Sequence, residues 1–249
     1  MKFLIFIFLI VTQFSKAQID SAIAIPIVGI NFGAQLPAYD MAKRFGPNLN
    51  AGGMFMYKTK KNWTFGFECN YLFGKNVKED VLKQLKVDFG EKAGMGTIDN
   101  EGYPADIRIT ERGLTSNLFV GHIFKFLSAN PNSGLMVNIG IGYLQHKINL
   151  YDAQQKNAAI KGTLKYGYDR LSNGISTTQF IGYLFLSENR LLNFYFGIEA
   201  TEGFTKSVRK FNYDTGLPDT KQRLDGLYGL KFGWILPLYK KKPNDFYYN

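Results

Sequence analysis

The 249-residue chain has little cysteine and histidine, and each scarcity excludes a class of site. Its single cysteine, Cys69, excludes an intramolecular disulfide and a cysteine metal cluster. Its two histidines, His122 and His146, lack the close ligand spacing of a zinc site. Neither lies two residues from a serine, and the chain has no G-x-S-x-G motif. The sequence therefore predicts no metal site and no catalytic residues.

Long apolar runs are absent after the N-terminus, which reads MKFLIFIFLIVTQFSKAQ. Lys2 supplies a positive charge, Phe3 to Val11 form a short apolar run, and Ser15 to Ala17 form a small-x-small cleavage site. The pattern predicts a signal peptide over residues 1–17. Because the apolar run is short for a membrane-spanning helix, an uncleaved anchor is the weaker alternative.

Alternation of side chains is clearest in the last long stretch, Gly226 to Tyr239, which reads GLYGLKFGWILPLY. Successive residues of a strand face opposite sides, so this stretch has one apolar, aromatic face and one small or charged face. The apolar face consists of Tyr228, Leu230, Phe232, Trp234, Leu236 and Leu238. A soluble sheet would bury that face in a core, whereas a membrane barrel would turn it toward lipid.

Seven further stretches have a strand-like composition. In one of them, Gly174 to Leu186, apolar residues occupy both even and odd positions, so the sequence does not show which face is apolar. The eight predicted strands are Ile27 to Leu36, Leu49 to Tyr57, Trp63 to Phe73, Leu114 to Phe126, Leu135 to Lys147, Gly174 to Leu186, Leu192 to Gly203 and Gly226 to Tyr239. The longer connections follow the odd-numbered strands, as periplasmic turns and external loops require. The prediction is an all-β, closed antiparallel transmembrane β-barrel of about eight strands over residues 18–239, with a periplasmic tail at 240–249.

Four charged residues point into the barrel by strand parity, namely Glu68, Lys125, Glu199 and Lys231. An eight-stranded barrel is just wide enough to be filled by side chains, and isolated buried charges are costly. We therefore expect a structural, salt-bridged network in the lumen. A gated polar path for small solutes is the alternative interpretation.

Neighbouring opposite charges recur near the predicted external strand ends. The pairs are Asp40/Arg44, Glu111/Arg112, Asp169/Arg170 and Arg223/Asp225. Singly they are typical of surface charges that contribute little. As a group they suggest a lid that joins the loops.

The formal charge is +10, yet the chain has no nucleic-acid-binding motif. Contact with outer-membrane lipid or lipopolysaccharide phosphates is one explanation of this excess. Simple solubility of the loops is the other.

The signal MKFLIFIFLIVTQFSKAQ and the terminal LKFGWILPLY together give a chain that resembles small, porin-like, eight-stranded outer-membrane β-barrel proteins. The resemblance implies insertion by the barrel-assembly machinery, which would read Tyr228, Leu230, Phe232, Trp234 and Leu236 as an assembly signal. It also implies no cofactor and no enzyme activity. The Ala-Gln signal end is similar to that of accessory barrels of type IX secretion and gliding systems.

Three functional hypotheses follow for a protein of the Gram-negative outer membrane. The first is a non-enzymatic structural, assembly or secretion-accessory partner within an outer-membrane protein complex. The second is a narrow channel or a conduit for small solutes or lipid-side ligands. The third and weakest is a lipid-modifying enzyme in the barrel wall.

Overall fold

A computed structural model describes residues 21–89, 95–128, 130–154, 156–187 and 192–239 of the chain. The predicted signal peptide and the predicted C-terminal tail lie outside these residues.

The described ranges consist mainly of β-strands. In chain order they are β1 (Ile25–Ala38), α1 (Tyr39–Arg44), β2 (Asn48–Lys58), β3 (Trp63–Gly74), β4 (Lys86–Asp88), β5 (Met95–Ile98), β6 (Pro104–Ala105), β7 (Ile107–Phe124), β8 (Gly134–Asp152), β9 (Ser172–Phe185), β10 (Phe194–Ser207) and β11 (Gln222–Pro237). Short 3₁₀ turns lie at Lys83–Leu85, Ala158–Ile160 and Leu164–Gly167. Among these helical segments, none has the length and apolar character needed to cross a membrane.

Eight of the strands close into a ring. Their order around it is β1, β2, β3, β7, β8, β9, β10 and β11, and β11 returns to pair with β1. Every neighbouring pair is antiparallel, and Phe232 lies opposite both Phe32 and Phe196. The predicted all-β, closed antiparallel barrel of eight strands is therefore confirmed, and its longer connections all lie at one end.

The outer surface of the ring carries a band of apolar side chains, which we call the apolar belt. Phe32, Phe196 and Phe232 share one row of the belt and are 52%, 51% and 44% exposed. Strand β9 joins the same pattern, because Ile175 and Ile181 face outward. Its facing was ambiguous in the sequence because apolar residues also fill the barrel interior at this strand.

The β7–β8 hairpin is longer than the sequence predicted. The sequence predicted that the first strand begins at Leu114 and that the second ends at Lys147. The observed pairing continues farther, to Ile107 opposite Asp152. Polar residues face outward there, so an apolar alternation could not mark these strand ends. In the long connection after β3, a 3₁₀ turn at Lys83–Leu85 leads into β4 of a small sheet with β5 and β6.

Two apolar clusters fill the barrel interior, one toward each end. The inner-end cluster contains Ile25, Ile27, Met54, Met56, Ile123, Met136, Phe180, Leu184, Leu186, Tyr195 and Ile235. The outer-end cluster contains Met41, Phe45, Leu72, Val81, Leu82, Leu144, Ile148, Leu150, Ile160, Tyr168 and Leu227, several of which come from the outer loops. The loops therefore pack into the barrel mouth, and a polar layer lies between the two clusters.

Replacing Phe232 with lysine tests whether the apolar belt meets lipid. A lysine near the bilayer midplane costs about 2–4 kcal/mol. Phe232→Lys should therefore sharply lower the heat-modifiable fraction in isolated outer membranes, that is, the folded barrel that migrates differently from the boiled chain on a gel. The control is Leu217→Lys, because Leu217 lies in an outer loop and is 64% exposed. Equal assembly of Phe232→Lys and the parent would show that this face does not contact lipid.

Candidate functional site: charge clusters of the lumen and the outer loops

Three of the four predicted lumen charges meet in the middle of the barrel. Lys231 of β11 donates hydrogen bonds to Glu68 of β3 and to Glu199 of β10. These three residues, which we call the lumen triad, are 3%, 6% and 4% exposed in that order. Both carboxylates therefore compensate the lysine directly, away from water.

The strand register provides the space for this lysine. On one side Lys231 lies opposite Gly33 of β1, and on the other it lies opposite Gly197 of β10. Neither neighbour has a side chain to compete for the lumen. The Lys231 stem can therefore cross the interior toward Glu68.

The polar layer around the lumen triad is nearly filled. A cavity of about 30 Å³ lies beside the triad, lined in part by Asn117, Phe180 and Tyr195. That volume holds about one or two water molecules. Side chains thus fill most of the barrel interior at this level.

Lys125 does not join the lumen triad, so the prediction for this residue is wrong. It is exposed and follows Phe124, the last residue of β7. The predicted strand continued to Phe126, whereas the ladder ends where Phe124 pairs with Leu135. Beyond the last ladder pair, strand parity no longer determines the facing of a side chain.

A second buried cluster, which we call the outer cluster, lies at the barrel mouth. Asp225 accepts hydrogen bonds from Arg44, with an N–O distance of 2.6 Å, and from the Thr205 hydroxyl, and it contacts His146 Nε2 at 2.8 Å. Asp225 and His146 are fully buried, and Arg44 is 7% exposed. Helix α1 brings Arg44 back into the mouth, so the first loop acts as part of a plug.

The charges of the outer loops do not pair as the sequence suggested. Asp40 pairs with Lys43 at 2.8 Å, which leaves Arg44 free to reach Asp225, 181 residues away. Arg223 pairs with Asp219 at 2.5 Å. The suggested pairs Asp40/Arg44 and Arg223/Asp225 are therefore wrong. Asp40 and Arg223 bind partners three and four residues away, and Arg44 and Asp225 bind each other.

Arg170 links two further loop segments. It donates to Glu79 at 2.7 Å and to Asp214 at 2.5 Å, while its neighbour Asp169 accepts from Arg209 at 2.8 Å. Burial alone would lower the pKa of Arg170, but Glu79 and Asp214 raise it above its ordinary value. These contacts, which we call the loop ties, join the connections that follow β3, β8 and β10.

The loop ties were not readable as pairs in the sequence. Asp169 and Arg170 are adjacent, yet they bind different partners, and Glu79 lies 91 residues from Arg170.

The pKa of Asp219 is set by opposing effects, as is that of Arg170. Burial raises the pKa of Asp219, and the Arg223 guanidinium more than offsets this, so that the pKa falls below its ordinary value. Arg170 and Asp219 therefore both remain charged over the physiological pH range.

The two histidines occupy unlike places. His122 lies on the outer face between Trp63 and Phe124, with ring centroids 5.2 Å and 4.7 Å away. His146 lies inside the outer cluster against Asp225. The Thr205 hydroxyl is directed to Asp225 rather than to the imidazole, so the described contacts pair His146 with a carboxylate but with no nucleophile.

The predicted assembly-signal residues all lie on the outward face of β11. Phe232 and Trp234 belong to the apolar belt, and the Tyr228 hydroxyl contacts Tyr39 and Glu202 at 2.8 Å each. Leu230 and Leu236 occupy the same face, beside β1 at the closure of the ring. Their role as a signal stays a prediction.

The opposite end of the barrel is closed by a polar cap around the β7–β8 turn. Lys58 is fully buried and donates to Asn132 Oδ1 at 2.8 Å and to the Ile23 carbonyl at 3.1 Å. Asn132 Oδ1 also accepts from the Ile23 amide at 2.9 Å. The segment before β1 is thus fixed across this opening.

Replacing Lys231 with methionine tests the lumen triad. Removing one partner leaves buried carboxylates uncompensated, so Lys231→Met should lower the free energy of unfolding by about 3–5 kcal/mol in a detergent-refolding titration. The matched variant, which adds Glu68→Gln and Glu199→Gln, should recover most of that loss. Equal stability of Lys231→Met and the parent would contradict the geometry of the triad.

Comparisons with known proteins give structural likeness only. No protein-family model matches the chain, and no curated protein matches it significantly. Among solved structures, Ail, the attachment invasion locus protein of Yersinia pestis, is 9% identical with a TM-score of 0.44, covering 86% of this chain and 99% of Ail.

Two further structures are similar at the same level. Neisserial surface protein A is 8% identical with a TM-score of 0.40, covering 84% of this chain and 96% of that protein. The N-terminal β-barrel domain of Pseudomonas aeruginosa OprF is 11% identical with a TM-score of 0.37, covering 85% and 97%. The fold assigned to this chain rests on its own strand pairing.

Proposed function

We propose that the protein is a non-enzymatic outer-membrane β-barrel that acts as a structural or assembly partner through its outer loops. The observation that carries this proposal is the combination of an apolar outer wall with an interior closed at three levels. The polar cap, the lumen triad and the outer cluster fill the levels in turn. A barrel of this kind offers its surfaces, rather than a passage, to other molecules.

The membrane placement follows from the two faces of the strands. Exposed aromatic and aliphatic residues surround the ring, whereas Glu68, Glu199 and Lys231 are buried inside it. Water would disfavour such a large continuous apolar surface, and lipid would favour it. The ring also satisfies its backbone hydrogen bonds without an edge strand, as a lipid-spanning structure must.

The outer end of the barrel is built to be a defined surface. The loop ties join three connections, α1 plugs the mouth, and the β4–β5–β6 sheet adds a structured projection. A prearranged surface loses less conformational entropy on binding than mobile loops would. We therefore place the partner contact at this end.

The finer proposal is a role as an accessory subunit of a secretion or gliding complex. The sequence resemblance described above supports it, together with a structured outer surface and a lumen that has no room for transport. Outer-membrane lipid and the barrel-assembly machinery are the further partners in this proposal.

Planar-bilayer recordings test the closed lumen. Pure protein should show no stable conductance, because the cavity beside the lumen triad is only about 30 Å³. Lys231→Met should destabilise the barrel rather than open it. A reproducible, ion-selective open state of the parent would favour the channel hypothesis.

Crosslinking and quantitative co-purification from gently solubilised membranes test the partner contact. Arg170→Gln breaks the ties to Glu79 and Asp214. The variant should recover several-fold less of the protein that co-purifies with the parent, while its heat-modifiability on a gel is unchanged. The control is Lys165→Gln, at an exposed loop lysine without a described ion pair. Recovery that does not differ between Arg170→Gln and this control would exclude the loop surface as the contact.

A further inference from the structure

A cleft of about 880 Å³ lies beside the end of β3, where the β7–β8 hairpin extends beyond the last β3–β7 pair. Leu49 and Phe73 line it together with Lys75, Arg108 and Arg112. Arg112 lies directly opposite Phe73 in the β3–β7 ladder. The cleft therefore brings apolar residues of the belt side by side with cationic residues.

Lys147 strengthens the cationic character of this region. It lies directly opposite Arg112 in the β7–β8 ladder and on the same outward face. Like charges placed directly across a strand pair destabilise a sheet unless something compensates them. We call Lys75, Arg108, Arg112 and Lys147 the basic patch.

The described part of the chain supplies little compensation for the basic patch. Arg112 donates to the Glu111 carbonyl, whereas the Glu111 carboxylate accepts from Asn48 on the inner side. Arg108 approaches Asp106 at 3.8 Å, and both side chains are largely exposed. Within the residues described, no ion pair joins Lys75, Arg112 or Lys147 to a carboxylate, in contrast to the loop ties.

We propose that the basic patch binds the phosphorylated headgroup of an outer-leaflet glycolipid. Its acyl chains would lie along the apolar belt below, beside Leu49 and Phe73. The phosphates would lie between Arg112 and Lys147 and relieve their mutual repulsion. The charge complementarity and the continuity of the cleft with the belt both favour a lipid over a soluble anion.

This inference rests on the proposed placement in the membrane, and it goes beyond that function by naming a lipid class and a site. Arginine favours such a site because its planar donors can bind a phosphate in a bidentate manner. The long hairpin is essential to it, since Arg108 and Arg112 lie on the part of β7 that extends beyond Leu114.

Native mass spectrometry of delipidated protein with added lipids tests the site. The probes are a bisphosphorylated glycolipid and the same glycolipid with its phosphates removed. The triple variant Arg108→Gln, Arg112→Gln and Lys147→Gln should bind the phosphorylated probe at least about tenfold more weakly than the parent. The control removes the same charge elsewhere, with Lys60→Gln, Lys61→Gln and Lys221→Gln, and should bind like the parent.

A heat-modifiability assay on every variant separates loss of folding from loss of binding. If the triple variant does not assemble, the single variants Arg112→Gln and Lys147→Gln should each still weaken binding several-fold. The phosphorylated probe should also raise the melting temperature of the parent more than that of these variants.

Three outcomes would overturn the inference. The first is that the triple variant and the control bind the phosphorylated probe equally. The second is that the parent binds both glycolipids equally. The third is that millimolar inorganic phosphate displaces the lipid, which would assign the site to a soluble anion. Any of these in a heat-modifiable protein leaves the proposed function intact. A parent that partitions as a soluble protein would instead refute the proposed function.

Discussion

The antiparallel pairing of β1 with β11 is the constraint on which the rest of the structure depends. It converts an open sheet into a ring, so each residue of the eight strands faces either the interior or the surroundings. In a ring of this size, the interior has room for side chains and little else. The apolar belt, the lumen triad and the loop packing are consequences of this division.

The interior is not uniformly polar, as a water-filled lumen would be. Apolar clusters fill both ends, and the buried charges lie in a central layer, at the barrel mouth and, as Lys58, in the polar cap. This arrangement resembles the core of a small soluble protein enclosed by a wall that is apolar on its outside. Replacement of a whole buried ion pair by apolar residues is often neutral, whereas removal of one partner is costly, so the lumen triad matters most when it is broken.

Much of the fold could be predicted from side-chain alternation. Trp63 to Phe73 and Gly226 to Tyr239 alternate so regularly that their facing is unambiguous, and Glu68 and Lys231 could be assigned to one lumen. The failures occurred where alternation ends. Lys125 follows the last ladder pair, and the polar outward residues of the β7–β8 extension have no apolar period.

The outer cluster and the loop ties could not be predicted for a different reason. Their charged partners are 40 to 181 residues apart, and the adjacent opposite charges suggested other pairs. Electrostatic pairing depends on where loops return in space, which a single sequence does not encode locally. Arg44 reaches Asp225 only because α1 turns back into the mouth.

The separation of these partners along the chain has a consequence for the order of assembly. Lys231 and Asp225 both belong to the last strand, while Glu68 and Arg44 belong to the first half of the chain. Until β11 arrives, two carboxylates of the lumen and the Arg44 guanidinium have no counter-charge. Pairing of the final strand therefore closes the wall and neutralises the interior charges in the same step. An incompletely closed ring keeps unpaired charges, which favour hydration and destabilise the ring in lipid.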